Sequence, residues 1–290
     1  MSGRNQNQPD TDLEGLPPSV RWYRYEGKDH FSRILALERE RLLNSIRNSR
    51  ETTTNIEPHI ETTEYIMFSI DPATFQRDFI DTDPISTFSI CTSFNPVTEL
   101  LIIKMITREH TRICFAVHQA ISDALQPMGL SKATEQYANA DIDVNGRMKQ
   151  PDMAWGPRRP PRGCEKRPTV VLEVGVSETE AKLRQDTDLW LDPNRGKANV
   201  VITIKFYRKQ ALMKIDKWVW DGANGTSIQS QHIEVSENDL DEIKLSGGPL
   251  VIPFCLLFLR EPEAPRETDI IIDEEGLLYI AERAWDMQFQ

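Results

Sequence analysis

The sequence predicts a mixed α/β fold, and three observations carry that prediction. Between residues 108 and 207, apolar periodicity changes in the order helix, strand, hairpin partner, strand, helix, strand, an αβββαβ order. The run Thr169–Val176 is apolar at nearly every position, as in a strand covered on both faces. Asn145-Gly146 lies between two strand-like segments and is the strongest short hairpin signal in the chain.

Each element has its own warrant. Residues 1–20 are polar and proline-marked and read as disordered. From Asp29 to Arg50, Phe31, Ile34, Leu35, Leu42, Leu43 and Ile46 recur at helical spacing, which predicts an amphipathic helix with a charged outer face. The threonine-rich stretch Glu51–Glu64 reads as a linker. Tyr65–Ile70 is a strand, Asp71–Asn95 is irregular, and Glu99–Thr107 is a second strand. Arg108–Met128 takes helical spacing and stops at Pro127 and Gly129. Glu135–Val144 and Arg147–Trp155 are the arms of the hairpin, and Pro157–Pro168 is a loop. Ser177 followed by Glu180 reads as a capping box that opens a helix to Leu191. Asn199–Tyr207, Ala211–Trp220, Ser227–Val235 and Leu250–Leu259 are expected strands, and Glu274–Met287 a short helix.

Composition narrows the function classes. The chain has 290 residues, 39% hydrophobic and 27% charged, which suits a globular protein. No apolar run reaches the ~18 residues of a membrane helix, and Met1–Leu16 lacks the apolar core of a secretory signal. Cys91, Cys114, Cys164 and Cys255 have no zinc-site spacing and read as reduced thiols, so an intracellular location, cytoplasmic or nuclear, is expected. A net charge of −11 argues against a general nucleic-acid coat. That charge is uneven. Residues 141–210 hold fourteen Lys/Arg against ten Asp/Glu, and residues 211–290 hold six against sixteen. The basic segment, with Arg158-Arg159-Pro160-Pro161-Arg162, could therefore form a phosphate-binding face on an acidic protein.

The candidate chemistry lies in that segment. Glu173 is the single charge within an apolar strand. Burying an unpaired carboxylate costs several kcal/mol, so Glu173 needs a metal, a basic partner or a proton. Asp152 follows Pro151 at the head of the preceding strand. Two carboxylates on neighbouring strands are the minimal oxygen-ligand device for holding Mg²⁺ against a phosphodiester. Trp155, Trp190, Trp218 and Trp220 read as core aromatics.

Three segments resemble a fungal family of restriction endonuclease-like proteins of the PD-(D/E)XK nuclease superfamily, and more distantly the bacterial Uma2-type endonucleases. They are Leu100–Met105 with Glu109-His110, then Lys149-Gln150-Pro151-Asp152 with Trp155, and Pro168–Glu178 with the Lys182 helix, Trp190 and the strand Val200–Ile204. The resemblance implies a restriction endonuclease-like αβββαβ core within residues 65–290. Residues 1–64 would form a polar tail, an amphipathic helix and a linker, and that helix could pair two copies as a homodimer. It implies Mg²⁺ or Mn²⁺ held by Asp152 and Glu173, and a lysine that positions the attacking water. That lysine belongs two residues after the glutamate, where Gly175 stands. Lys182 is the preferred replacement, with Lys149 and Lys205 as alternatives. His110 matches a histidine at the start of the first core helix, where it would contact a phosphate or orient a carboxylate. The expected partner is nucleic acid, DNA before RNA. Two functions follow: a metal-dependent endonuclease, or a catalytically inactive relative that binds nucleic acid or protein.

Overall fold

A computed structural model describes residues 15–51, 63–81, 90–137, 140–176, 178–208, 210–238 and 242–286. Of residues 1–20, expected to be disordered, 1–14 lie outside them, as does most of the Glu51–Glu64 linker; within 15–20, Leu16 and Val20 instead pack against Tyr65, Met67, Leu100 and Ile102. Two sheets dominate. The first contains β1 (Arg21–Arg24), β2 (Tyr65–Ser69), β3 (Ile90–Asn95), β4 (Leu100–Met105), β6 (Ile142–Asp143) and β7 (Met148–Lys149), in the order β1-β2-β4-β3-β7-β6. The second contains β5 (Thr134–Gln136), β8 (Met153–Pro157), β9 (Val170–Gly175), β10 (Val200–Tyr207), β11 (Leu212–Asp221), β12 (Thr226–Glu237) and β13 (Ile243–Ser246), in the order β13-β12-β11-β10-β9-β8-β5. A small pair joins β14 (Leu250–Ile252) to β15 (Ile270–Ile272).

The helices are α1 (Lys28–Glu51), α2 (Pro72–Phe75, continued by one π-helical turn over Gln76–Ile80), α3 (Arg108–Leu125), α4 (Glu180–Leu191), α5 (Phe254–Phe258) and α6 (Glu274–Trp285). In the second sheet, β8 is antiparallel to β5 and β9, while β9 runs parallel to β10 with α4 as the crossover. Among the elements of the second sheet and its helices, α3, β5, β8, β9, α4 and β10 follow one another in the αβββαβ order, with β6 and β7 diverted into the first sheet between β5 and β8. This mixed α/β arrangement is consistent with a restriction endonuclease-like fold.

Alternation along β9 explains its unbroken apolar run. Val170, Leu172 and Val174 face the main core with Ile113, Val117 and Ile121 of α3 and with Leu277 and Ile280 of α6. Val171 faces the opposite side, against Trp190 and Leu191 of α4. Glu173 shares the α4 side. In β4, Leu101, Ile103 and Met105 face the α1 side, with Phe31 and Leu35, whereas Leu100 and Ile102 face away from it. Lys104 shares that second face. The segment preceding residue 65 joins this layer too: β1 pairs in parallel with β2.

Four local expectations are corrected. The Asn145-Gly146 hairpin forms, but its arms, β6 and β7, pair in the first sheet; Gln150-Pro151 then carries the chain across to β8 in the second. The cap of α4 is Thr179, whose hydroxyl accepts from the Lys182 N–H. Leu250–Leu259 is split by Pro253, which cannot donate to a ladder, into β14 and the short helix α5. Within Asp71–Asn95, read as irregular, Ile90–Asn95 is strand β3 and Asp71 caps α2.

Phe31 is fully buried, with ring centroids 5.0 Å from Phe68 and 5.3 Å from Phe79. Truncating such a ring removes apolar contact and leaves a cavity. Phe31→Ala should therefore cost about 3–5 kcal/mol, measured by chemical denaturation. A loss below about 1 kcal/mol would mean that α1 contributes little to the folded core.

Candidate functional site

The two sheets and α4 enclose eight ionisable side chains: Lys104, His110, Lys149, Asp152, Glu173, Glu178, Lys182 and Asp186, none more than 7% exposed. The register places Met153 opposite Leu172. Asp152, one step further, therefore lies opposite Glu173, on the same face of adjacent antiparallel strands.

Asp152 Oδ2 is crowded. It accepts from Lys104 Nζ at 2.7 Å and from the Val174 N–H at 2.7 Å, and His110 Nε2 lies 3.0 Å away. His110 is close enough to pair as an ion but is not aligned as a hydrogen-bond donor, and its Nε2 has no other partner. Asp152 Oδ1 is buried without a partner. Lys104 also donates to the Val174 carbonyl at 2.8 Å and lies 3.4 Å from Glu178. Around Glu173, Trp190 Nε1 donates to Oε1 at 2.6 Å and Lys149 Nζ stands 3.5 Å away. Lys149 also reaches Asp186 at 3.1 Å, and Lys182 donates to Asp186 one turn along α4.

Charge and burial shift these groups in opposing directions. Burial would raise the Asp152 carboxyl, but the charges of His110 and Lys104 hold it well below the usual range. Burial would lower His110, but the Asp152 charge lifts it to about 10. Burial pushes Glu173 up to about 8; Lys149 pulls it down while Asp152 and Asp186 raise it further. At neutral pH Glu173 is therefore mostly protonated, and Asp152 is the ionised member of the pair.

All four residues singled out from the sequence, Asp152, Glu173, Lys182 and His110, line this cluster. Lys182 is directed at Asp186. Of the replacement lysines, Lys149 stands 3.5 Å from Glu173, and Lys205 donates to the Glu178 carbonyl at the cluster's margin. Gly175 has a steric cause: a Cβ there would come within 2.9 Å of Leu183 Cδ1 and 3.1 Å of Glu178 Cβ. A lysine at that position would have to push the Leu183 and Glu178 side chains aside.

From the sequence, neither Lys104 nor Glu178 was assigned a role in the site. Lys104 carries the same signal as Glu173, one charge inside an apolar strand, and was legible by the same rule.

Mg²⁺ or Mn²⁺ would require oxygen ligands at this pair. Asp152 Oδ1 is one free oxygen. Asp152 Oδ2 and the Val174 carbonyl, however, both receive the Lys104 ammonium, and Glu173 Oε1 receives Trp190. Among the described residues no three His, Cys, Asp or Glu side chains are grouped to hold a metal ion. In this arrangement the Lys104 ammonium takes two of the oxygens that a divalent cation would use. The cavity between Lys104, Lys149, Asp152, Glu173 and Asp186 measures about 20 Å³. That is room for about one water molecule, not for a phosphodiester.

No family model matches the chain, and no curated protein matches it in sequence. Among solved structures it is similar to a protein from Anabaena variabilis described as a "putative nuclease belonging to DUF820", with 11% identity, 65% of this chain and 90% of that chain covered, and a TM-score of 0.35. A likeness at that level assigns no residue a role. Among the described residues no helix is long and apolar enough to cross a membrane.

The Glu173 proton gives a test of the cluster's electrostatics. Its folded pKa lies above the ordinary carboxyl value, so its contribution to stability is complete below that value and is lost as pH rises through about 8. Glu173→Gln removes this dependence. Between about pH 5 and about pH 9 the melting temperature of the variant should gain steadily on that of the wild type. A constant difference across that range would place the proton on another group.

Proposed function

We propose that the chain is a restriction endonuclease-like protein that binds nucleic acid without hydrolysing it. One observation carries the reading: the Lys104 ammonium bridges Asp152 at 2.7 Å and the Val174 carbonyl at 2.8 Å, where a catalytic cation would need those same oxygens. The small volume of the cavity agrees with it, since a scissile phosphate has no place beside Asp152 and Glu173. Nucleic acid, DNA before RNA, is the ligand class because the segment that carries the cluster also carries the basic loop Arg158–Arg162.

A second reading is favoured by one specific oxygen. Asp152 Oδ1, buried and unpartnered, is the kind of group a metal ion would satisfy. A metal-dependent nuclease would use Asp152 and Glu173 as ligands for Mg²⁺ or Mn²⁺, with Lys182 or Lys149 supplying positive charge beside them and His110 fixing Asp152. It requires Lys104 to leave its present position.

Nuclease assays decide between the two. Well-folded wild type should release no more product than Glu173→Ala from single- and double-stranded DNA and from RNA, with Mg²⁺ or Mn²⁺. Cleavage by wild type that disappears in Glu173→Ala would establish the second reading. In that case Lys182→Ala should lower turnover by about two orders of magnitude.

A further inference from the structure

A second concavity lies at the far end of β8, five residues along the strand from Asp152. It measures about 440 Å³ and is lined by Leu130, Lys132, Arg158, Arg159, Phe258 and Arg260, among others. That volume is within the range of small-molecule sites, roughly 300–1,000 Å³. Its framework is fixed. The Arg158 N–H donates to the Ala133 carbonyl at 2.8 Å, which ties the arginine loop to the segment bearing Lys132. Arg260 is held by two hydrogen bonds to Glu267, at 2.6 and 2.8 Å, and its guanidinium lies 4.8 Å from the Phe254 ring centre. Glu267 offsets the charge of Arg260. Lys132, Arg158 and Arg159 form no ion pair with any described residue, and they leave the groove with three unbalanced positive charges on a chain of net charge −11.

Three cations without an ion-pair partner that line one concavity together with Leu130 and Phe258 constitute a particular chemistry. Guanidinium forks fit phosphate oxygens in pairs, and the ammonium adds a mobile charge. Leu130 and Phe258 offer a surface for a flat or apolar group joined to the phosphate. We infer that this groove binds a phosphate ester of about one nucleotide unit, with the phosphate at Arg158, Arg159 and Lys132 and the base or sugar over Leu130 and Phe258. The ester could belong to a free nucleotide or to a single-stranded nucleic acid. The groove is where the nucleic-acid partner proposed above would be held; its role rests on that reading and does not require the buried cluster to be inert.

Binding can be measured by calorimetry with adenosine monophosphate and by fluorescence anisotropy with a short labelled oligothymidylate. The proteins to compare are wild type, Arg158→Ala/Arg159→Ala, and Lys132→Glu as a second, independent variant. Both variants change side chains at the groove's rim, and their melting curves should match that of wild type. Wild type should bind at least one probe, and each variant should weaken that binding by about tenfold or more. The affinity should fall with salt, and with the oligonucleotide the logarithmic slope should drop by about 0.7 for each phosphate that a variant no longer neutralises. Comparable affinity for the two probes would identify a nucleotide site; a much tighter oligonucleotide would identify a strand site. Two results overturn the inference: binding of neither probe, or variants that bind as wild type does. Oligonucleotide binding that survives both variants would remove the groove while leaving the nucleic-acid-binding reading intact.

Discussion

The Lys104 ammonium is the point on which the architecture of the site depends. It projects from the first sheet and is answered by Asp152 and the Val174 carbonyl of the second. Moving an ammonium and a carboxylate out of water costs several kcal/mol each, and their attraction repays this only when the remaining hydrogen bonds are also made. Here they are made in part: Asp152 Oδ2 also takes the Val174 N–H, while Asp152 Oδ1 has no partner. The pair therefore fixes the relative position of the two sheets more than it adds net stability. Removing either partner alone would leave an uncompensated buried charge, a loss of about 3–5 kcal/mol.

Around that pair the cluster is arranged as two linked groups. One comprises Lys104, His110, Asp152 and Glu178 at the sheet junction; the other comprises Lys149, Lys182, Asp186 and Glu173 beneath α4. Trp190 closes the second group, its indole N–H on Glu173. α4 packs closely on β9, so that a side chain at Gly175 would meet Leu183 and Glu178. Leu183 and Glu178 are thus seated over the end of β9, beside Gly175.

Much of this was legible in the chain. The apolar run around Glu173 identified a two-faced strand because each face meets its own helix layer. The Pro-Asp at residues 151 and 152 marked the head of its neighbour because Pro151 stands where the chain leaves one sheet for the other. What could not be read was non-local. Nothing local to Met148–Lys149 says that this two-residue strand pairs with β3 rather than with the strand that follows it. Nor does Leu100–Met105 reveal that its alternate face is turned toward Asp152. Lys104 was visible as a lone charge, but its partner lies 48 residues away in another sheet. The Thr179 cap was missed because Ser and Thr hydroxyls suit the N-cap equally, and both residue types stand at the head of this helix in the sequence.

Mn²⁺ binding followed by electron paramagnetic resonance, on wild type and on Lys104→Ala, tests the central claim most directly. If the ammonium holds the cation's place, wild type should leave Mn²⁺ free in solution. Lys104→Ala, with Asp152 and the Val174 carbonyl released, should take it up and lose it again when Asp152→Ala is added. Uptake of Mn²⁺ by wild type, abolished by Asp152→Ala, would show instead that Lys104 yields its position to a metal.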